Sequence, residues 1–223
     1  MADTGGSRMR FTVLGCGSSP GTPRLNGDWG NCDPRNPRNR RLRASLLAER
    51  IGPDGEKTCV VIDTGPDFRQ QMLNVGITQL DGVVYTHPHA DHIHGIDDLR
   101  TFVLWQRRLM DIWADEATYE RLHEAFGYCF ETPPGSGYPP ILKRHGIDHE
   151  MPFTVTGPGG DIGFTPLFQR HGAIHSLGFR IGNFAYCPDV SSYPDDTLDK
   201  MHGLDVLTVS YTHLRAHETK PNL

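Results

Sequence analysis

Short β-prone runs, broken by Gly and Pro, recur along the chain and are interleaved with segments of helical spacing. Residues 10–14, 44–49, 58–62, 82–85 and 111–114 read as strands. Gly52-Pro53-Asp54-Gly55-Glu56 is a turn, so the second and third strands predict a hairpin. Asp67 caps a predicted helix through Val75, with Phe68, Met72 and Val75 on one face. Residues 99–109 read as a second helix, and Asp115 caps a third that runs to Phe126. From Phe153 onward the pattern predicts meandering strands at 162–169, 177–181 and 183–187. A helix over 194–202 and a buried strand over 204–209 follow. Two stretches fit neither period. Residues 20–43 are rich in Pro, Gly, Asn and Arg, and residues 127–147 carry paired prolines and read as a surface excursion placed to lid a site.

The strand at 82–85 opens into Thr86-His87-Pro88-His89-Ala90-Asp91-His92-Ile93-His94-Gly95. In an extended loop His87 and His89 share a side of the backbone and can grip one cation together. Asp91 and His92 follow directly and can be turned toward a second. Imidazole nitrogen and carboxylate oxygen suit divalent transition metals such as zinc or manganese. His94 falls outside the H-x-H-x-D-H pattern and reads as a neighbour of the site or a surface residue. Asp63, ending the strand at 58–62, either orients a metal histidine from behind or caps the next turn. Gly15-Cys16-Gly17-Ser18-Ser19 is either a loop that lets backbone N–H groups approach an anion or a tight turn, with Cys16 as a small buried packing residue.

Composition narrows the field. The chain has 223 residues, 37% of them hydrophobic and 22% charged, an ordinary globular mix able to bury a core without disulfide staples. The five cysteines form no C-x-x-C pair, which suits a reduced, cytoplasmic protein. A formal net charge of −5 argues against a general nucleic-acid binder, and no apolar run is long enough to cross a bilayer. Against that acidic background Arg35, Arg38, Arg40, Arg41 and Arg43 crowd into one segment, either to meet phosphate or as a solvated basic loop.

The metal loop, together with Val60-Val61-Ile62-Asp63-Thr64-Gly65 before it and His171 and Asp189 after it, resembles the metallo-β-lactamase superfamily of hydrolases. Three further stretches are similar to the branch that contains phosphoribosyl 1,2-cyclic phosphate phosphodiesterase. They are Gly15 to Pro23, Trp29 to Pro34 with Asn39 to Ser45, and Gly95 to Arg100. The likeness covers about residues 10–208. It implies an α+β fold, a four-layer αββα sandwich of the metallo-β-lactamase fold, with its C-terminal portion incomplete. It also implies two divalent ions, zinc or manganese with iron as a third candidate. His87, His89 and His171 would hold one ion and Asp91 and His92 the other, with Asp189 bridging. Asp91 and His92 double as the catalytic pair, Asp63 stands behind them, and Arg40, Arg41, Arg43 and His175 are the candidates for substrate contact.

The expected activity is phosphodiester hydrolysis, by a hydroxide shared between the ions, on a small, phosphorylated, cyclic or open ester. Thioester or lactam hydrolysis on the same centre is the rival. So is a chain that binds metal and turns over nothing, because a late histidine ligand and a proton-donating histidine of that branch have no counterpart in the sequence. Residues 1–9 are expected to be a flexible tail, 10–209 one domain, and 210–223 an atypical, truncated, foreign or frameshifted tail. Its His213 and His217 are not taken as ligands. Neither a membrane nor a nucleic acid is expected as partner, and a homodimer is the assembly to look for.

Overall fold

The computed structural model describes residues 6–209. The tail predicted at 210–223 lies outside the described residues. Among those described, two mixed sheets lie face to face. The first runs β1 (Arg8–Gly15), β2 (Ser45–Ile51), β3 (Lys57–Ile62), β4 (Gly82–Val84), β5 (Met110–Ala114) and β6 (Leu142–Gly146), in that spatial order. Its first three strands are antiparallel and the rest parallel. The second sheet orders β11 (Val206–Thr208), β10 (Phe184–Tyr186), β9 (Ile174–Ile181), β8 (Ile162–His171) and β7 (Phe153–Val155).

Period-two alternation sorts the side chains into layers. Leu46, Ala48, Val60 and Ile62 face the second sheet and pack with Phe164, Leu177, Phe179 and Tyr186. Leu47, Val61, Val83 and Ile112 point the other way, onto the helices. There α1 (Phe68–Val75), α2 (Ala90–Ile93), α3 (Arg100–Gln106) and α4 (Glu116–Phe126) contribute Phe68, Met72, Ile93, Phe102 and Leu122. Beyond the second sheet, Leu167, Ala185 and Cys187 pack with Met201 and Leu204 beside α5 (Asp195–Lys200). The order helix, sheet, sheet, helix is the four-layer α+β sandwich expected.

Several local expectations differ from what is observed. Arg8 and Met9 belong to β1, because their backbone continues the ladder to Arg50 and Ile51. The Asp67 carboxylate makes no cap to α1. It accepts instead from the Arg43 backbone N–H and the Arg43 guanidinium, both at 2.8 Å. Residues 142–146 of the supposed lid are a sheet strand, paired in parallel with β5. Cys16 is exposed, because the close approach of Gly15 and Gly17 to the backbone of residues 41–43 turns its side chain outward. The strand at 206–208 is half-exposed, with Val206 at 49% and Leu207 at 47%, because it pairs only with β10 at the sheet edge.

The antiparallel end of the first sheet carries one buried acid. Glu49 is 1% exposed and takes two nitrogen donors of Arg10, at 2.5 and 2.6 Å, with Lys57 at 3.5 Å. Burial opposes its charge, yet Arg10 and Lys57 hold the carboxyl below its usual range. Its contribution to stability is therefore complete above the ordinary glutamate value and fades as pH falls through the lower, folded value. Glu49→Gln is expected to cost roughly 2 kcal/mol in urea unfolding near neutrality, and the gap to the unsubstituted protein should narrow in acid.

Candidate metal centre

Three strand ends and one loop build the site. The segment after β3, Asp63-Thr64-Gly65, is zipped to the metal loop by Thr64 N–H to His92 C=O at 2.8 Å and Gly95 N–H to Thr64 C=O at 2.7 Å. Gly65 and Gly95 permit this approach: a Cβ on either would lie well inside contact distance of a backbone oxygen. Asp63 and Asp189 both have positive φ, at 66° and 47°, a strained setting for a residue with a side chain. In each case the sharp backbone turn aims a carboxylate into the site.

The donors converge in two groups that share Asp189. In the first, His87 Nε2 lies 3.1 Å from His89 Nδ1, and His171 Nε2 lies 3.3 Å from the same atom. Asp189 Oδ2 stands 3.8 Å from His87 and 3.5 Å from His171. In the second, His92 Nε2 has a carboxylate oxygen of Asp91 and one of Asp189 at 3.5 Å each. Metal–ligand bonds of about 2.0–2.2 Å set neighbouring donors about 3.0–3.5 Å apart in tetrahedral or octahedral geometry. Most of these separations fall in that range, with His87–Asp189 slightly wider. His92 Nε2 is buried and has no hydrogen-bond partner. A fully buried imidazole nitrogen facing two carboxylates is a donor suited to a cation. The nitrogen and oxygen donor set thus fits two divalent transition ions, with His87, His89, His171 and Asp189 for one and Asp91, His92 and Asp189 for the other.

Asp63 sets the orientation from behind. Its Oδ2 receives His92 Nδ1 and Thr86 Oγ1, each at 2.7 Å, and its Oδ1 accepts the Thr86 backbone N–H at 2.8 Å. That bond keeps the His92 proton on Nδ1 and leaves Nε2 for a cation. Burial disfavours the His92 imidazolium, but Asp63 and Asp189 together push its pKa up to about 10. His87 moves the opposite way: burial first, then the crowd of His92, His89 and His171, hold it well below the ordinary range.

The site opens to a cleft of about 660 Å³ lined by Ser18, Ser19, Pro20, Arg24, His89, Asp91, His171 and Asp189, among others. The arginines picked from sequence do not line it. Arg43 is engaged by Asp67, and Arg40 lies over the Trp29 ring at 5.5 Å. Arg41 ties the loop down through backbone bonds to Thr22. Arg24, which sequence reasoning passed over, lines the cleft instead. His175 turns to the Asp115 carboxylate at 2.7 Å instead of the cleft. His94 is exposed against Phe126.

The family profile described as the β-lactamase superfamily domain matches residues 58–221, most of the chain. The chain belongs to the β-lactamase superfamily. A crystal structure described as a new diphosphatase from the PhnP family is 36% identical with a TM-score of 0.76, covering 90% of this chain and 73% of that one. The zinc-bound PqqB of Methylobacterium extorquens shares the fold, at 18% identity and a TM-score of 0.65, covering 91% of this chain and 72% of that one. A protein named octanoyltransferase, from Porphyromonas gingivalis, is 34% identical over 215 residues, 95% of this chain and 42% of the relative. The chain spans less than half the length of the curated relatives it matches. Among the described residues, no helix is long and apolar enough to cross a membrane.

Asp63 and Asp189 favour a proton on His92, and a cation competes with that proton for Nε2. Calorimetric zinc titrations in buffers of different ionisation enthalpy should therefore show net proton release, and affinity should weaken as pH falls. Asp63→Asn should lower both the released proton count and the affinity, the latter by about 10–100-fold. Equal heats in all buffers would contradict the assignment of His92.

Proposed function

We propose that the protein is a metal-dependent phosphodiesterase acting on a small phosphate ester, cyclic or open. The observation that carries this reading is the paired donor set, sharing Asp189, at the floor of a cleft that Arg24 alone lines among the arginines of the described residues. The likeness to a PhnP-family diphosphatase, at 36% identity, supports a phosphorus centre as the target. Bound together, two divalent ions would acidify a water and neutralise charge on a phosphoryl group.

The chain's own residues have separable tasks in this reading. His87, His89, His171 and Asp189 hold one ion, and Asp91 and His92 with Asp189 hold the other. Asp63 fixes the His92 tautomer. Arg24 offers a planar pair of donors to the substrate's phosphate, in exchange for its present 3.0 Å contact with Asp28. The N–H groups of the small loop at Ser18 and Ser19 border the same cleft and suit an anion. The metal identity, zinc, manganese or iron, follows from supply as much as from this donor set.

Thioester hydrolysis is the reading to set against it, since one relative carries the name octanoyltransferase. The metal-loaded chain should hydrolyse bis-p-nitrophenyl phosphate or a cyclic phosphate ester faster than acyl thioesters or lactams. The reverse order would overturn the proposal. Asp91→Ala should lower both metal content and phosphodiesterase rate, the rate by at least about 100-fold, and an unchanged rate would remove Asp91 from the centre. Arg24→Ala should raise KM about tenfold with a smaller effect on kcat, as expected for loss of a charge-assisted contact worth about 1.5 kcal/mol.

A further inference from the structure

A second convergence of metal-type donors lies apart from the cleft, where the two sheets meet. Asp115 follows the last residue of β5 and caps α4, its Oδ1 accepting the Thr118 N–H at 2.9 Å. Its other oxygen, Oδ2, points across to the second sheet. His175 of β9 reaches it through Nε2 at 2.7 Å. His149, from the loop between β6 and β7, aims its Nε2 at the same oxygen from 3.5 Å without hydrogen-bonding it. The three donor atoms all lie within 4.8 Å of one another.

The scaffold around them is fixed. The His149 loop is anchored by Ile147 N–H to Ala114 C=O at 3.0 Å and by the Asp148 carboxylate, which accepts from the Glu150 N–H. Lys200 of α5 donates to the His149 carbonyl at 3.3 Å. Phe168 stacks on the His175 ring and lies against that of His149, limiting how either can turn. Burial works against charge on Asp115, but Thr118 and His175 hold its carboxyl below the usual range. The carboxylate is 4% exposed, while each imidazole remains about a third exposed, so solvent has a way in. A simple hydrogen-bonded tie between sheets needs only Asp115 and His175. It gives no reason for a second imidazole directed at the same oxygen.

We infer that Asp115, His149 and His175 form an additional divalent-cation site that clamps the two sheets together, separate from the centre in the cleft. Two nitrogens and one carboxylate oxygen suit zinc, with water completing the shell. The cation takes the place of the proton now shared by His175 and Asp115. It requires that pair to open from 2.7 Å to about 3.0–3.5 Å, the spacing His149 already has. Asp115 keeps its cap on α4 through the oxygen that does not ligate. The predicted role is structural, because these residues do not line the cleft.

The test counts zinc on the full chain after stripping with a chelator, reloading and desalting. His149→Ala and the milder His149→Gln should each hold about one zinc per chain fewer than the unsubstituted protein, and the zinc-dependent rise in Tm should shrink with it. Asp115→Asn, which preserves a capping side chain, should do the same. Equal zinc content in all four proteins, measured on material with unchanged circular dichroism, would overturn the inference. His89→Ala separates this site from the cleft. It should lower zinc content further while leaving the deficit caused by His149→Ala intact, so either centre can fail alone.

Discussion

One buried carboxylate holds the metal loop in place. Asp63 sits at the end of β3 with no solvent exposure, in a backbone conformation that a residue with a side chain seldom adopts. Its two oxygens collect the Thr86 N–H, the Thr86 hydroxyl and His92 Nδ1, and its backbone N–H goes to Val84. Two neighbouring parallel strands and the loop leaving one of them are thereby locked to a common point. The strain at φ and the burial of charge both cost stability. They are tolerated because every hydrogen bond of the carboxylate is satisfied and because the result fixes one imidazole tautomer.

The rest of the centre follows from where strands end. His87 comes just after β4, His171 closes β8 and Asp189 follows β10, so the donors come from both sheets and meet at one rim of the sandwich. The Leu177 N–H to Thr86 C=O bond, at 2.9 Å, joins the sheets at that rim. The Asp115–His175 contact ties them again nearby. Sheets that pack through apolar faces alone can slide. A polar seam along one edge fixes their register, and a centre whose donors are divided between the sheets needs that register held to within tenths of an ångström.

Charge is distributed to match. The basic segment at 35–43 looks from its density like a phosphate clamp, yet Arg40, Arg41 and Arg43 do not line the cleft. Arg43 joins the segment to the start of α1 through Asp67, and Arg40 covers Trp29. Arg24, fifteen residues or more from most of that cluster, is carried to the cleft by the same loop. Local charge density says that cations are available, but the path of the backbone decides which one meets solvent beside the site.

Much was legible in the chain alone. Period-two runs marked most strands of both sheets, and the Gly and Pro breaks marked their ends, because side-chain alternation is a local property of extended backbone. The H-x-H-x-D-H loop was legible for the same reason, since its donors lie within six residues of one another. Asp63 was legible only as one of two alternatives at a strand end, His171 and Asp189 required a family resemblance to be singled out, and His149 gave no signal, because nothing local links a loop histidine to an aspartate thirty-four residues earlier. Only the tertiary structure decided those meetings. Pairing between sheets depends on register, strand length and the direction of each turn, and those are settled when the whole apolar interior closes, not by the composition of any one segment.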